Sequence, residues 1–208
     1  MSEHLEQIWQ YWQAGGYLMP ILAFISFLIL SFYFYLWYNL NRALSNSQKC
    51  MDELEKKLTV NKDDQSIYHW LSTMPGAIPR LIRHLLLRCW NGLNFRDGFS
   101  QCRQAELKDY SSGFIFLGAL VAVAPLLGLL GTVLGMVETF DAVAMNTAGT
   151  DDMVAKGLSK ALITTQVGLL IALPGSFGLA HLYKLYKQLS NHIDRVESSL
   201  SIYFMEQS

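Results

Sequence analysis

The sequence predicts an all-α membrane protein that crosses the bilayer three times, extends long helices into the cytoplasm and assembles as a homo-oligomeric ring. Three long windows contain almost no charged residue, although 16% of the chain is charged. Windows of this length can cross a hydrocarbon core of about 30 Å as helices. Two of them also have small and hydroxyl-bearing residues at helical spacing, which is typical of closely packed helices. Joined by a short connection, these two helices are expected to run antiparallel, and their polar faces favour repeated assembly around something polar.

The first span is predicted over residues 17–38, where no charge occurs. Residues 1–16 have apolar side chains at three- and four-residue spacing, so we expect a short periplasmic amphipathic segment at the membrane interface. That segment contains no Lys or Arg, and no small-residue cleavage pattern follows the apolar run. We therefore expect a retained transmembrane helix and not a signal peptide. The aromatic residues Trp37 and Tyr38 mark its far boundary.

Residues 39–109 are predicted to form a helical cytoplasmic segment. Eleven of the 16 Lys and Arg residues fall between Arg42 and Lys108, whereas none precedes the first span. The positive-inside rule then predicts an outside N-terminus, an outside loop at residues 141–156 and an inside C-terminus. Turn signals interrupt the cytoplasmic segment at residues 73–76 and at residues 78–79.

The second span is predicted over residues 110–140. Its small residues recur every three or four positions, at Ala124, Gly128, Gly131, Thr132 and Gly135. Because glycine is a poor helix former in water, its repetition indicates close packing against another helix. Pro125 is assigned with these glycines as a packing or kink position.

The third span is predicted over residues 157–183, followed by a cytoplasmic C-terminal helix at residues 184–208. The span has a second small-residue stripe, at Gly157, Ala161, Thr164 or Thr165, Gly168, Ala172 and Gly175. Pro174 lies in its cytoplasmic half and is predicted to kink it.

Composition and motifs argue against several function classes. The net charge of −1, without a basic patch interleaved with aromatic residues, gives no support to nucleic-acid binding. The three cysteines fall in the predicted cytoplasmic segment at spacings that match no zinc site, so we expect reduced thiols and no metal. No nucleophile elbow, phosphate-binding loop, zinc-protease motif or dinucleotide fingerprint occurs. We therefore expect neither an enzyme nor a cofactor.

Two stretches resemble the MotA/TolQ/ExbB proton-channel family. Residues 124–136 read APLLGLLGTVLGM and are similar to the family's second-helix signature. Residues 157–165 read GLSKALITT and, with the following Gly168, Ala172 and Pro174, are similar to its third-helix signature. The opening of the first span, GGYLMP at residues 15–20, is most like the ExbB branch, with TolQ as the near alternative.

The resemblance implies a mechanism as well as a fold. ExbB-like subunits form a pentamer around two copies of ExbD, a single-span partner whose aspartate binds and releases protons. Proton flow is thought to drive rotation of that partner, and the motion is passed to TonB, which opens outer-membrane transporters. By position, Thr132 and Thr165 correspond to the two pore-facing hydroxyls, and the adjacent Thr164 is a further pore-lining candidate.

The residues themselves agree with a partner that supplies the titrating group. This chain has no carboxylate near the middle of any predicted span, and a proton relay through a bilayer usually needs a titratable group or a water chain there. Threonine hydroxyls can hold a carboxylate or water but do not titrate usefully. One alternative is that Thr132 and Thr165 donate to carbonyls of their own helices. A passive membrane scaffold is the alternative from another functional class.

Lys160 departs from the family pattern, because ExbB-type relatives often have a glutamate there. Glu138 lies six residues after Thr132, and Lys160 lies five residues before Thr165. On antiparallel helices with level threonines, both charges would lie about 8–9 Å toward the outside. We hypothesise that they pair, within one subunit or between neighbours. The alternative is that Lys160 extends to the outer lipid headgroups.

Overall fold

A computed structural model describes residues 16–60, 69, 71–74, 76–90, 94–145 and 150–207. Four helices are described: α1, Leu18–Val60; α2, Ala77–Trp90; α3, Phe95–Met145; and α4, Thr150–Gln207. The all-α prediction is confirmed, and α1, α3 and α4 are each long and apolar enough to cross a membrane. The predicted amphipathic segment at residues 1–15 lies outside the described residues.

Local sequence explains where the first two helices begin. Gly16 has a φ of 64° and its carbonyl accepts from the Met19 N–H at 3.3 Å, which forms a turn just before α1. The turn signal at residues 78–79 proved to be inside a helix. Pro79 lies in the first turn of α2, where its missing N–H would have no intrahelical acceptor. Gly76, with a φ of 152°, precedes that turn in a conformation that side chains rarely adopt.

The connection between α3 and α4 is shorter than the predicted loop at residues 141–156. Helix α3 continues to Met145 and α4 begins at Thr150. The alanines and valine at residues 142–144 are compatible with helix continuation. The Thr-Asp-Asp sequence at residues 150–152 is typical of a helix N-terminus. Hydroxyl and carboxylate oxygens can accept hydrogen bonds from first-turn N–H groups, and negative charge is stabilising there.

The chain divides into two compact units, and the first comprises Met1–Tyr33 and Ile115–Leu179. Its described part contains the start of α1, the second half of α3 and the first half of α4. These three segments meet at Gly175 of α4, where an added Cβ would lie 2.8 Å from the Val121 side chain and 3.5 Å from the Ile29 side chain. A small residue at this position therefore lets the three segments pack closely.

The second unit comprises Phe34–Phe114 and Ala180–Ser208. All four described helices contribute to it, and the fully buried side chains among its described residues are aliphatic except for Phe99. Its largest fully buried residues are Leu40, Leu71, Ile78, Leu81, Ile82, Leu85, Phe99, Leu182 and Leu189. In α2 the buried residues recur at helical spacing with more exposed ones between them, so this helix is amphipathic.

Polar side chains also tie helices together inside the second unit. Ser47 on α1 donates to the Leu44 carbonyl at 2.7 Å, and its Oγ lies 2.8 Å from Nδ1 of His192 on α4. Because the serine proton is directed to a carbonyl, the His192 Nδ1–H is the donor in the second bond. Arg103 on α3 approaches Asp194 on α4 to 3.0 Å, as an ion pair without hydrogen-bond alignment.

Candidate functional site

The two predicted small-residue stripes lie at the contact between α3 and α4 in the first unit. An added Cβ at Gly128 would lie 3.0 Å from the Thr165 Cα, and one at Gly135 would lie 3.0 Å from the Ala161 Cβ. Later residues of α3 thus face earlier residues of α4, so the helices run antiparallel. Among the glycines of the described residues, Gly168 has the closest backbone neighbour, because a Cβ there would lie 2.7 Å from the Ala124 carbonyl oxygen.

Two other glycines make room for threonine side chains. A Cβ at Gly131 would collide with the Thr164 hydroxyl, and a Cβ at Gly157 would collide with the Thr139 hydroxyl. Small residues therefore serve two purposes along this interface: some bring the backbones together, and others accommodate a hydroxyl from the opposite helix.

The three candidate threonines have different surroundings. Thr164 is 2% exposed, and its hydroxyl lies 2.8 Å from the Ala161 carbonyl and 3.3 Å from the Gly128 carbonyl. Thr165 is partly exposed and donates across the helix contact to the Gly128 carbonyl at 2.9 Å. Thr132 is also partly exposed and donates to the Leu129 carbonyl of its own helix at 2.7 Å.

These contacts show, for each threonine, whether its hydroxyl bonds to its own helix or to the neighbouring one. Thr132 bonds to its own helix, three residues back, whereas Thr165 bonds to the neighbouring helix. Thr164 is a packing residue within the single chain, because its hydroxyl is enclosed between α3 and α4. Thr132 and Thr165 are partly exposed as residues, and each hydroxyl keeps lone-pair capacity after donating its proton. Both can accept a hydrogen bond from water or from a protonated carboxyl group.

The antiparallel register places Thr132 and Thr165 at similar depth. Thr165 lies opposite Gly128, which is four residues, about 6 Å or one helical turn, from Thr132. Side chains of this size can therefore approach the same ligand from two helices.

The hypothesised outer ion pair is tested only in its backbone geometry. Gly135 lies opposite Ala161, so Glu138 and Lys160 lie on the same side of that contact, with backbone heights differing by about 3 Å. Glu138 is exposed. The Lys160 side chain lies outside the described residues, so the pairing stays a prediction.

The two proline positions lie inside continuous helices. Pro125 is within α3 and Pro174 is within α4. The Ser176 hydroxyl donates to the Ala172 carbonyl at 2.8 Å, within one turn of Pro174. A kink at Pro174 stays a prediction.

Thr139 is a buried residue that sequence reasoning missed. It is 5% exposed, and its hydroxyl donates to the Gly135 carbonyl at 2.6 Å. Its position continues the three- and four-residue spacing of Gly131, Thr132 and Gly135, which was the available signal. It extends the hydroxyl-bearing face of α3 by about two turns beyond Thr132.

Much of the apolar surface of the first unit is left uncovered by the single chain. Only 22% of each apolar window is buried, so most of each span is available to lipid or to other chains. Exposed apolar side chains of α3 and α4 include Leu126, Leu129, Val133, Val137, Leu162, Leu169, Leu170, Leu173 and Phe177.

This part of the chain is similar to known proteins. The profile of the MotA/TolQ/ExbB proton channel family matches residues 93–195, which contain both small-residue stripes and all the candidate threonines. The biopolymer transport protein exbB1 of Vibrio cholerae is 45% identical over 76 residues, covering 36% of this chain and 33% of the relative. A putative ExbB-like biopolymer transport protein of Synechocystis is 31% identical over 129 residues, covering 61% of this chain and 51% of the relative.

A relative from the TolQ branch also matches. The Tol-Pal system protein TolQ of Haemophilus influenzae is 33% identical over 92 residues, covering 44% of this chain and 37% of the relative. In these three relatives the matched stretch spans between about a third and about half of the protein's length.

Proposed function

Because this chain belongs to the MotA/TolQ/ExbB proton channel family, we propose that it is an ExbB-like proton-channel subunit of the bacterial inner membrane. In this proposal five copies surround an ExbD-type single-span partner, and the complex uses the proton motive force to energise a TonB-type protein. The N-terminus is periplasmic and the C-terminus cytoplasmic, as the distribution of Lys and Arg favours. The family is one of channels and not of enzymes.

The observation that best supports the channel is the pair of partly exposed threonines on antiparallel helices. Thr132 and Thr165 come from different helices, lie within about one turn of each other in depth and are both partly exposed. A scaffold that only anchors other proteins has no need of such a pair. We assign both residues to the surface that faces the partner's aspartate.

The hydrogen bonds of these threonines suggest how they act. Each hydroxyl donates to a backbone carbonyl, Thr132 to Leu129 and Thr165 to Gly128. In that state each oxygen accepts a hydrogen bond, which stabilises a protonated aspartic acid opposite it. Rotation of the hydroxyl would break its bond to the backbone carbonyl and direct the hydroxyl proton toward an ionised aspartate. The two threonines can thus form hydrogen bonds with the aspartate in either of its protonation states, without titrating themselves.

Proton flux into liposomes tests this proposal. The chain would be reconstituted with its single-span partner, and wild type would be compared with Thr165→Val and Thr165→Ser. Losing a hydrogen bond of about 1.4 kcal/mol in the rate-limiting state lowers a rate about tenfold. We expect that loss in the valine variant and near-normal flux in the serine variant, which keeps the hydroxyl.

Thr139→Val is the matched control, because it makes the same chemical change at a buried hydroxyl one turn or more from the proposed pathway. It should leave flux largely unchanged. Unchanged flux in Thr165→Val, or equal losses in both valine variants, would remove Thr165 from the pathway. Absence of flux from the wild-type complex would instead favour the scaffold.

A TolQ-like role in the Tol-Pal envelope system is the second candidate, because a TolQ relative matches 44% of the chain. Both candidates predict the same threonine chemistry and differ in partner. Co-purification of the chain with a Tol-Pal component, and not with a TonB-type protein, would favour the TolQ-like role.

A further inference from the structure

A basic cavity in the second unit has no role in the proposed proton pathway. It has a volume of about 440 Å³ and lies between α1, the start of α2 and α3. Three arginines line it: Arg42 from α1 and Arg80 and Arg83 from α2. None of the described residues that line it is acidic. From these features we infer that the cavity binds the phosphate headgroup of an anionic membrane lipid.

The charge of the cavity is only partly neutralised. Arg80 donates to Glu106 Oε1 at 2.8 Å, and that pair accounts for one of the three guanidinium groups. Arg42 and Arg83 have no ion pair among the described residues. Two uncompensated guanidinium groups in one concave site match the geometry and charge of a phosphate, to which arginine can donate two parallel hydrogen bonds.

Neutral groups in the lining add to the preference for an anion. Gly76 and Ala77 line the cavity, so the N-terminal turn of α2 opens into it. First-turn N–H groups lack intrahelical acceptors and carry the positive end of the helix dipole. The first turn of α2 contains no acidic residue that would occupy this end. Asn39 and Tyr110 supply further hydrogen-bonding groups for ester or glycerol oxygens.

The position of the cavity along the chain favours a lipid over a soluble phosphate. Asn39 directly follows the uncharged run that ends at Tyr38, and Tyr110 opens the uncharged run of α3. Part of the lining therefore comes from the points where two membrane-crossing segments leave the apolar region, which is the level of lipid headgroups. Tyr35 and Tyr38 are 64% and 60% exposed, as expected for aromatic residues at the membrane boundary. This inference rests on membrane crossing and is independent of proton conduction.

Lipid selection by the purified full-length chain tests the inference. The protein would be extracted from vesicles of equal phosphatidylglycerol and phosphatidylcholine, and bound lipids would be counted by native mass spectrometry. We expect one retained phosphatidylglycerol per chain in preference to phosphatidylcholine. Each arginine near a membrane surface strengthens binding of an anionic lipid by about fivefold, so Arg42→Gln with Arg83→Gln should weaken that preference by about 30-fold.

The matched control is the double variant Lys184→Gln with Lys187→Gln. It removes the same charge from two exposed residues just beyond the predicted third span, outside the cavity. It should keep the phosphatidylglycerol preference. Equal losses in the two double variants would reveal general surface attraction and overturn the site.

Two further outcomes would contradict the inference without depending on any variant. If wild type showed no preference for phosphatidylglycerol, the cavity would not be a lipid site. If millimolar inorganic phosphate displaced the retained phosphatidylglycerol, a soluble phosphate would be the ligand and the lipid assignment would be wrong. Persistence of the lipid in that competition is the expected result.

Discussion

Replacing Gly168 with alanine should separate α3 from α4 at their closest contact. The added Cβ would lie 2.7 Å from the Ala124 carbonyl oxygen and 3.2 Å from the Gly128 Cα. Both neighbours are backbone atoms, so no side-chain rotation can relieve the clash. Ordinary contact begins near 3.4 Å, and the helices must therefore move apart locally by about 0.7 Å.

That displacement sets the expected loss of stability. Overpacking of a tightly packed interface costs about 1–3 kcal/mol. The same movement lengthens the bond from the Thr165 hydroxyl to the Gly128 carbonyl, now 2.9 Å, and interhelical bonds in membranes contribute about 0.6 kcal/mol on average. We therefore expect Gly168→Ala to lower the free energy of unfolding by about 1–4 kcal/mol relative to a matched glycine-to-alanine control.

Gly118→Ala is that control, because its Cβ would lie 3.7 Å from the Leu179 Cδ2, at ordinary contact distance. The two substitutions change helix propensity equally, so their difference isolates the packing effect. Unfolding in mixed micelles by titration with sodium dodecyl sulfate, followed by circular dichroism, would measure it. Equal stabilities of the two variants would refute the argument that backbone contact at Gly168 holds α3 against α4.

Three other perturbations test individual residues. Arg80→Met removes the guanidinium 2.8 Å from the Glu106 carboxylate, which is 15% exposed, and should lower the free energy of unfolding by about 1 kcal/mol in a denaturant titration. Burial raises the pKa of the Cys50 thiol to about 11, so about one molecule in a thousand is a thiolate at pH 8 and maleimide should label it only after unfolding. Because the unfolded thiol releases its proton first, stability should also fall between about pH 9 and pH 11. If Glu138 and Lys160 pair, Lys160→Glu should impair assembly or flux and Glu138→Lys should restore it.

Each of these perturbations has its own control and its own contradicting result. Arg96→Met removes an exposed arginine of α3 for which no ion pair is described and should change stability little. The partly exposed Cys89 should react with maleimide in the folded protein, and equally fast labelling of Cys50 would contradict its burial. Failure of the charge exchange to rescue Lys160→Glu would favour contact of Lys160 with the outer headgroups.

Apolar runs and small-residue spacing were sufficient to predict the helices that matter most for function. The absence of charge over long windows depends on composition alone, so α1, α3 and α4 could be recognised without tertiary information. The two stripes, one containing Gly128 and the other Gly168, predicted which helix faces meet, since small residues at helical spacing have few other uses in a membrane.

The partner atoms of the hydroxyls could not be predicted in the same way. A threonine in a helix can donate to its own chain or to a neighbour, and sequence spacing does not distinguish the two. Thr132 takes the first option and Thr165 the second. The length of the connection between α3 and α4 was also overestimated, because small and polar residues occur both in loops and at helix ends.

One carbonyl oxygen connects the two accessible threonines. The Gly128 oxygen accepts from the Thr165 hydroxyl, and in an α-helix the same oxygen is the acceptor for the Thr132 amide four residues later. Removing the Thr165 hydroxyl strengthens the hydrogen bond from the Thr132 amide to the Gly128 oxygen. A change at Thr165 therefore alters the backbone that holds Thr132. Double-mutant cycles between them should be non-additive even when no ligand is bound.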